Sequence, residues 1–473
     1  MTRENKTFDE LRVGDSAELR RTCTPDDLIV FANASGNHNP MHLPNQDIDG
    51  DGKADVVVAP SMWVGSLISA VLGNVLPGPG TLYRTQLFRF HARATAGDEL
   101  NAKVSVVEKC ADGTVRLATE VRRLADGALL LEGEAVVEAP KVKVIYEEQE
   151  LPGLIVQRHR HFDALLQRAE HLPPLAVAVV APEEPASLGG ALLAAKEKLI
   201  TPILVGSAAK IAAAAKSLGA LGALLDTVEI IDIADHAAAS NAAVDVVADG
   251  RAQALMKGHL HTDELLKAAL RKERGLRIGR RFTHIFVMDV PGLSHPLLVT
   301  DAAINISPDL PTKVDIVQNA IDLALSLGIE QPKVGVLSAV ETVNPAIISS
   351  VDAALLSKMA ERGQITGGLV DGPLAMDNAV DVAAARIKGI RSPVAGRAEV
   401  LVVPDLDAGN MLAKQLTFIS HAEAAGLVMG AKVPIILTSR ADGEKARLAS
   451  CAVAVVHQAR MNAEKLVAEK AGV

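Results

Sequence analysis

Ser61-Met62-Trp63-Val64-Gly65-Ser66-Leu67-Ile68-Ser69-Ala70-Val71-Leu72 is apolar nearly all the way round a helical wheel. A helix of that kind is covered on every side rather than laid along a surface. The spacing predicts a buried helix over 61–76. The residues C-terminal to it indicate its cover. Leu100, Ala102, Val104 and Val106 alternate with polar residues, the period of a half-buried strand. Asp112-Gly113 predicts a hairpin turn, after which Val115, Leu117, Thr119 and Val121 alternate again. Asp126-Gly127 predicts a second turn, and Leu129–Val137 a third strand. An apolar helix followed by an antiparallel meander implies a curved sheet wrapped around the helix.

Further along, the pattern changes. Short Val/Ile/Leu runs at Leu175–Val180, Pro202–Val205, Ala254–Met256, His284–Met288, Leu297–Thr300, Lys333–Leu337, Val400–Val403 and Pro434–Leu437 read as strands covered on both faces. Helical stretches intervene at Leu188–Lys198, Ala208–Leu218, Val314–Leu327, Ala346–Arg362 and Ala446–Ala459. That alternation predicts a mainly parallel α/β sheet in two lobes. Between the two patterns, Pro140, Pro152, Pro173 and Pro174 punctuate a polar stretch containing Arg158-His159-Arg160-His161, read as a linker with a short solvated helix. The expected organisation is residues 1–140 as an α+β domain, 141–172 as linker and 173–473 as the α/β domain.

Composition narrows the function. The 473 residues are 49% hydrophobic and 22% charged, enough for two to four domains at roughly 100–200 residues each. A net charge of -9 with 2% aromatics argues against a nucleic-acid partner, which calls for a basic face and stacking rings. Three widely spaced cysteines, Cys23, Cys110 and Cys451, suggest neither a disulfide framework nor a zinc site. The polar start of the chain and the short apolar runs lead us to expect a cytoplasmic protein with no membrane partner. There is no G-x-x-x-x-G-K-[ST] and no strand-borne G-x-G-x-x-G. Asp47, Asp49, Asp51, Gly52 and Asp55 have the spacing of a calcium loop, but its twelfth position, where a bidentate Glu belongs, is Val58. A solvated acidic turn is the expectation there, and no metal site.

Two sets of motifs carry resemblances. Phe31-Ala-Asn-Ala-Ser-Gly-Asn-His-Asn-Pro-Met-His42, ahead of the buried helix, resembles the S-G-D-x-N-P-x-H motif of the MaoC-type (R)-specific enoyl-CoA hydratases. Over roughly residues 8–140 the resemblance implies a hot-dog fold. It also implies a site in which a carboxylate and a histidine grip one water while a helix N-terminus takes the charge of a thioester oxygen. His42 matches the histidine and Ser61 the helix start. Asn37 stands where the family has its catalytic Asp, and Pro60-Ser61 where many members have His-Gly. An amide accepts no proton at neutral pH. Hydration run by His42 alone, acyl-CoA binding or assembly without catalysis, and a loop merely satisfied by His42 and Asn39 all stay open.

Ala254-Leu-Met-Lys-Gly-His-Leu-His-Thr262, Thr366-Gly-Gly-Leu-Val-Asp-Gly-Pro-Leu374, Val403-Pro-Asp-Leu-Asp-Ala-Gly-Asn-Met411 and Ile435-Ile-Leu-Thr-Ser-Arg-Ala-Asp442 resemble the phosphate acetyltransferase/phosphate butyryltransferase family. The order of the two regions is similar to fusions of an enoyl-CoA hydratase with such an enzyme. The resemblance implies two α/β lobes, like those of the isocitrate/isopropylmalate dehydrogenases, with the site between them. It also implies conversion of a short-chain acyl-CoA plus phosphate to acyl phosphate plus CoA, with the CoA thioester as substrate, no cofactor, and a closed homo-oligomer. Ser439 and Arg440 match the family's serine and phosphate-gripping arginine. Asp442 is the candidate base, with an N-cap for the next helix as its alternative. Thr262 and Lys267 fall where the family places phosphate-contacting hydroxyl and basic groups; Lys257, Gly258, which allows close backbone approach, and His261, with a capped turn histidine as its alternative, are further substrate-binding candidates, and Asn410, opening a helix after Gly409, is a candidate for the pocket wall or an anion-facing helix end. Gly367-Gly368 and Asp371-Gly372-Pro373 read as tight turns.

Overall fold

A computed structural model describes residues 2–44, 46–50, 54–147, 160–437 and 443–471. The chain divides into two compact units, Met1–Val156 and Gln157–Val473.

In the first unit, β1 (Thr2–Glu4) is a short strand, followed by β2 (Ser16–Thr22) and α1 (Pro25–Ser35). The buried helix α2 (Ser61–Asn74) comes next, then β3 (Leu82–Phe90), β4 (Glu99–Lys109), β5 (Thr114–Arg123), β6 (Leu129–Glu138) and β7 (Ile145–Glu147). Strands β2 to β6 form one antiparallel sheet in the order β2-β4-β5-β6-β3, and β1 pairs with β7. Period-two burial puts Leu100, Ala102, Val104, Leu117, Val121, Leu131 and Val137 against Trp63, Leu67, Ile68, Val71 and Leu72 of α2. Each large apolar side chain buried there contributes about 1.5–3 kcal/mol. The sequence reading missed β2 and β3, whose exposed residues break the alternation; β3 is an edge strand with Leu82, Leu87 and Phe90 exposed.

The second unit opens with α3 (Arg160–Glu170). The side chain of Asp289 accepts from the Phe162 N–H at 2.8 Å, and Phe162, Leu165 and Ala169 are buried. The helix is therefore amphipathic rather than solvated all round, and Arg160 and His161 both bond the Leu293 carbonyl. Arg158 and His159 lie outside the described residues. Then come β8 (Leu175–Val180), α4 (Pro185–Lys196), β9 (Ile200–Gly206), α5 (Ala208–Ser217), β10 (Glu229–Asp232), α6 (His236–Ala248), β11 (Ala254–Lys257) and α7 (Thr262–Ala269). They lead to β12 (Thr283–Asp289), β13 (Leu297–Thr300), α8 (Leu310–Ser326), β14 (Lys333–Leu337), α9 (Ile348–Glu361), β15 (Leu369–Leu374), α10 (Met376–Val380) and α11 (Val382–Ile387). The last elements are β16 (Val400–Val402), α12 (Leu406–Phe418), β17 (Glu423–Met429), β18 (Ile435–Ile436) and α13 (Glu444–Ala471).

Eleven strands form one sheet in the order β10-β9-β8-β11-β18-β17-β12-β13-β16-β14-β15. Its flanks are parallel, but β17 runs antiparallel to both β18 and β12, and β12 to β13. Seven of its ten strand pairings are parallel, in line with the mainly parallel expectation; the three antiparallel ones lie together at the centre. Asp371-Gly372-Pro373 lies within β15 rather than in a tight turn.

One face of this sheet has a continuous core that joins Val177, Ile285, Leu427 and Val400 with α13, α8 and α4. The other face has two separate cores. Val428, Leu437, Leu260 and Leu265 belong to one; Met288, Leu401, Leu416 and Ala422 belong to the other. A gap on one side of an unbroken sheet is a cleft, and the strands beneath it are its floor.

Candidate active site

The cleft holds a cavity of about 490 Å³. Lys257, His261 and Thr262 come from the end of β11 and the start of α7, and Asn410 from α12. His284, Phe286 and Ala424 form the floor, while Lys414, Phe418, Glu423 and Lys445 stand around them. Leu437 and Gly443 also line it. They are the residues on either side of Thr438-Ser439-Arg440-Ala441-Asp442, so Ser439, Arg440 and Asp442 lie outside the described residues.

Lys257 is only 7% exposed, and its ammonium donates to the Gly258 carbonyl at 3.4 Å. A buried ammonium in a cleft draws an anion strongly, because little water screens it. Gly258 brings this segment against β8. Its N–H donates to Val180 O at 2.8 Å, and His259 N–H donates to Ala181 O at 2.7 Å. His261 is the N-cap of α7 but makes no side-chain cap, so its ring is available to the cavity it lines. Lys267 does not line the cavity. It lies on the outer side of α7, 77% exposed, in a 3.0 Å pair with Asp263 one turn earlier.

Asn410 lines the cavity from inside α12, whose N-cap is Asp405, rather than from the helix start. Its amide donates to Ala302 O at 3.4 Å. The sequence reading did not single out His284, Phe286, Lys414, Glu423 or Lys445. A signal for the first existed: a histidine inside an otherwise apolar, fully covered strand is out of place.

Burial pushes the His284 imidazole down to about 4, against a smaller opposing pull from Asp301. His457 on α13 is likewise pushed to about 4 by burial, with its Nδ1 2.9 Å from Ser326 Oγ. Both rings stay neutral when folded, whereas an unfolded histidine gains its proton near pH 6.5. The unfolded chain therefore holds more protons between pH 6.5 and 4, and stability falls as pH drops through that window. The expected slope is up to about 1.4 kcal/mol per pH unit for each ring. Melting temperatures at pH 7.5, 6 and 5 check this, and His457→Gln should flatten the decline.

In the first unit, α1 starts with a capping box between Thr24 and Asp27 and ends at Gly36. The loop after it carries Asn37, which is exposed; its side-chain oxygen accepts from Asn39 N–H at 3.3 Å. Asn39 caps the turn Pro40–His42. His42 is half-buried, and its Nδ1 lies 2.7 Å from Val58 O. A carbonyl only accepts, so Nδ1 carries the proton and Nε2 offers a lone pair. Ser61 is the exposed first residue of α2, behind Pro60, which supplies no side-chain cap. An apolar cavity of about 430 Å³ lies between α2 and β3, lined by Phe31, Met62, Tyr83 and Phe88 among others. Asp47, Asp49 and Asp55 have carboxylate oxygens within 4.8 Å of one another, but Asp47 and Asp55 accept backbone N–H groups of their own turn. Asp51 and Gly52 lie outside the described residues.

The family described as "Phosphate acetyl/butaryl transferase" matches residues 236–455. The phosphate acetyltransferase of Rhizobium meliloti is 56% identical over 308 residues, 65% of this chain and 96% of that protein. The chain belongs to the phosphate acetyl/butyryl transferase family.

Within this family, the phosphate butyryltransferase of Clostridium beijerinckii is 40% identical over 64% of this chain and 99% of that one. A branched-chain phosphotransacylase from Enterococcus faecalis V583 superposes with a TM-score of 0.52 at 32% identity, covering 60% of this chain and 99% of the other. The family described as "MaoC like domain" matches residues 12–126. The protein is thus an acyltransferase of the phosphate acetyl/butyryl type preceded by a MaoC-like domain. No described helix is long and apolar enough to cross a membrane.

Proposed function

We propose that the second unit transfers a short acyl group between CoA and inorganic phosphate in the cleft, using no cofactor. A phosphate oxygen attacks the thioester carbonyl, the carbon–sulfur bond breaks, and the thiolate leaves and takes up a proton. Arg440 grips the phosphate in fork geometry, Ser439 hydrogen-bonds the oxyanion, and Asp442 takes the phosphate's proton on the way in. Lys257 and Thr262 add a charge and a hydroxyl from the cavity lining. Leu260, Phe286, Phe418 and Ala424 leave an apolar side for the acyl chain. The observation that carries this reading is one cavity lined by Lys257, His261, Thr262, Asn410 and the residues on either side of 438–442, Leu437 and Gly443.

The first unit is proposed to hydrate 2-enoyl-CoA slowly. His42 Nε2 takes a proton from water as the oxygen adds to C3, and C2 is then protonated. Asn37 can orient the water but cannot accept its proton. Asn37→Asp should raise the rate with crotonyl-CoA by about 10²–10⁴-fold, the usual worth of a positioned base. Loss of absorbance of the conjugated thioester measures it. If Asn37→Asp changes nothing while acyl-CoA still binds, the unit is a binding module.

A further inference from the structure

Arg280, Asp322, His457, Arg460 and Glu464 take no part in the cleft, yet together they line a second cavity of about 460 Å³. It lies between α8 and α13, on the other face of the sheet. Strand β17 shows the separation, because successive side chains point to opposite faces. Ala424 lines the cleft, whereas Met429, five positions on, lines the second cavity. The floor of that cavity is buried and its polar groups are fixed. His457 is 6% exposed, with Nδ1 2.9 Å from Ser326 Oγ. That hydroxyl donates its one hydrogen to Asp322 O at 2.9 Å, so it accepts from Nδ1–H and leaves Nε2 with a lone pair. Nε2 makes no hydrogen bond among the described residues, and burial keeps the ring neutral down to about pH 4.

The rim carries the charges. Arg280 Nη1 donates to Asp322 Oδ2 at 2.5 Å and to Asn319 Oδ1 at 3.4 Å. Asn319 is itself buried, donating to Arg281 O and Thr283 Oγ1, so this guanidinium is steadied from below. Arg460 Nε donates to Glu464 Oε1 at 2.7 Å. Nη2 of Arg280 and both Nη atoms of Arg460 make no hydrogen bond among the described residues. Leu325, Met429, Val433 and Met461 supply an apolar wall. A few convergent polar groups over such a wall are the usual make-up of a small-molecule site. The lining holds two cations, two anions and a neutral ring with an unused lone pair. A simple anion would meet Asp322 and Glu464 as well as the arginines, and a simple cation the reverse. A molecule bearing both charges finds a partner for each. We propose that this cavity binds an aliphatic α-amino acid. Its carboxylate accepts from the spare N–H groups of Arg280 and Arg460, its ammonium donates to His457 Nε2 and Glu464, and its side chain covers the apolar wall.

The test is isothermal titration calorimetry of the full chain with L-leucine at about pH 7.5, and its outcome does not depend on acyl transfer in the cleft. One leucine should bind per chain, with a Kd below about 1 mM. 4-Methylpentanoate is leucine without the ammonium, and 3-methylbutylamine is leucine without the carboxylate. Each should bind at least about tenfold more weakly, the worth of a hydrogen bond to a charged group. Glycine, which leaves the apolar wall bare, should also be at least about tenfold weaker. Arg460→Leu and Glu464→Gln alter half-exposed and exposed rim side chains and should each weaken leucine at least about tenfold. Saturating CoA should leave the leucine Kd within about twofold, since the cleft lies across the sheet. Absence of saturable leucine binding up to about 10 mM overturns the inference. So does a 4-methylpentanoate, amine or glycine as tight as leucine, parental affinity in either variant, or displacement of leucine by CoA. Should a variant fail to fold, the ligand series on the parent chain decides alone.

Discussion

Arg440→Lys is expected to lower kcat/KM for phosphate by about 10²-fold, and Arg440→Ala by about 10³-fold. A guanidinium offers a planar fork that binds two phosphate oxygens at once, whereas an ammonium is a single point charge on a flexible stem. A lost donor to a developing oxyanion in a water-poor cleft is worth about 10²–10³ in rate, and removing the charge adds to that. Lys257 stays behind in either variant, buried in the cavity lining, so residual phosphate binding should persist at high concentration. The measurement is consumption of acetyl phosphate in the presence of CoA, with phosphate and CoA varied separately. An Arg440→Lys enzyme with parental kinetics would remove Arg440 from the reaction.

Gly258→Ala carries the second large effect. A Cβ at this position would lie 2.3 Å from Val180 O and 2.4 Å from Ala181 O, closer than real Cβ atoms approach anything. Both obstacles are backbone, so no side chain can swing aside. The segment from Lys257 to Thr262 has to move off β8, and with it four of the residues that line the cavity, Lys257, Leu260, His261 and Thr262. The expected result is a fall in kcat/KM of at least about 10²-fold, since misplacement by an ångström is enough for that. Stability should fall by about 1–3 kcal/mol, as for other forced overpacking. Steady-state kinetics and thermal melts on the same preparation separate the two losses. Parental activity with an unshifted melting temperature would show that the close approach does not shape the site.

Much of the fold was legible because its signals are local. The period-two runs at Leu100–Val106 and Val115–Val121 became β4 and β5, and the nearly all-apolar stretch read as a helix over 61–76 became α2, which ends two residues earlier at Asn74. Continuous aliphatic runs marked β8, β13 and β14 to the residue. What escaped was set by tertiary context. β17, Glu423-Ala-Ala-Gly-Leu-Val-Met429, begins with small and acidic residues of weak strand preference, and only its neighbours β12 and β18 make it a strand. β15 holds Gly372 and Pro373, which locally signal a turn.

The site divides in the same way. Lys257, His261, Thr262 and Asn410 were readable from motif and line one cavity, while Lys267 was placed by proximity in sequence and its helix turns it outward. His284, Phe286 and Glu423 reach the cavity through antiparallel pairing across the middle of the sheet, which nothing in their own neighbourhood announces.

The most direct measurement is release of CoA by the full chain from acetyl-, propionyl- and butyryl-CoA, with and without inorganic phosphate. Release that requires phosphate, saturates with it and yields one acyl phosphate per CoA is the predicted result. Absence of phosphate-dependent release from every member of the panel would contradict the assignment of the cleft.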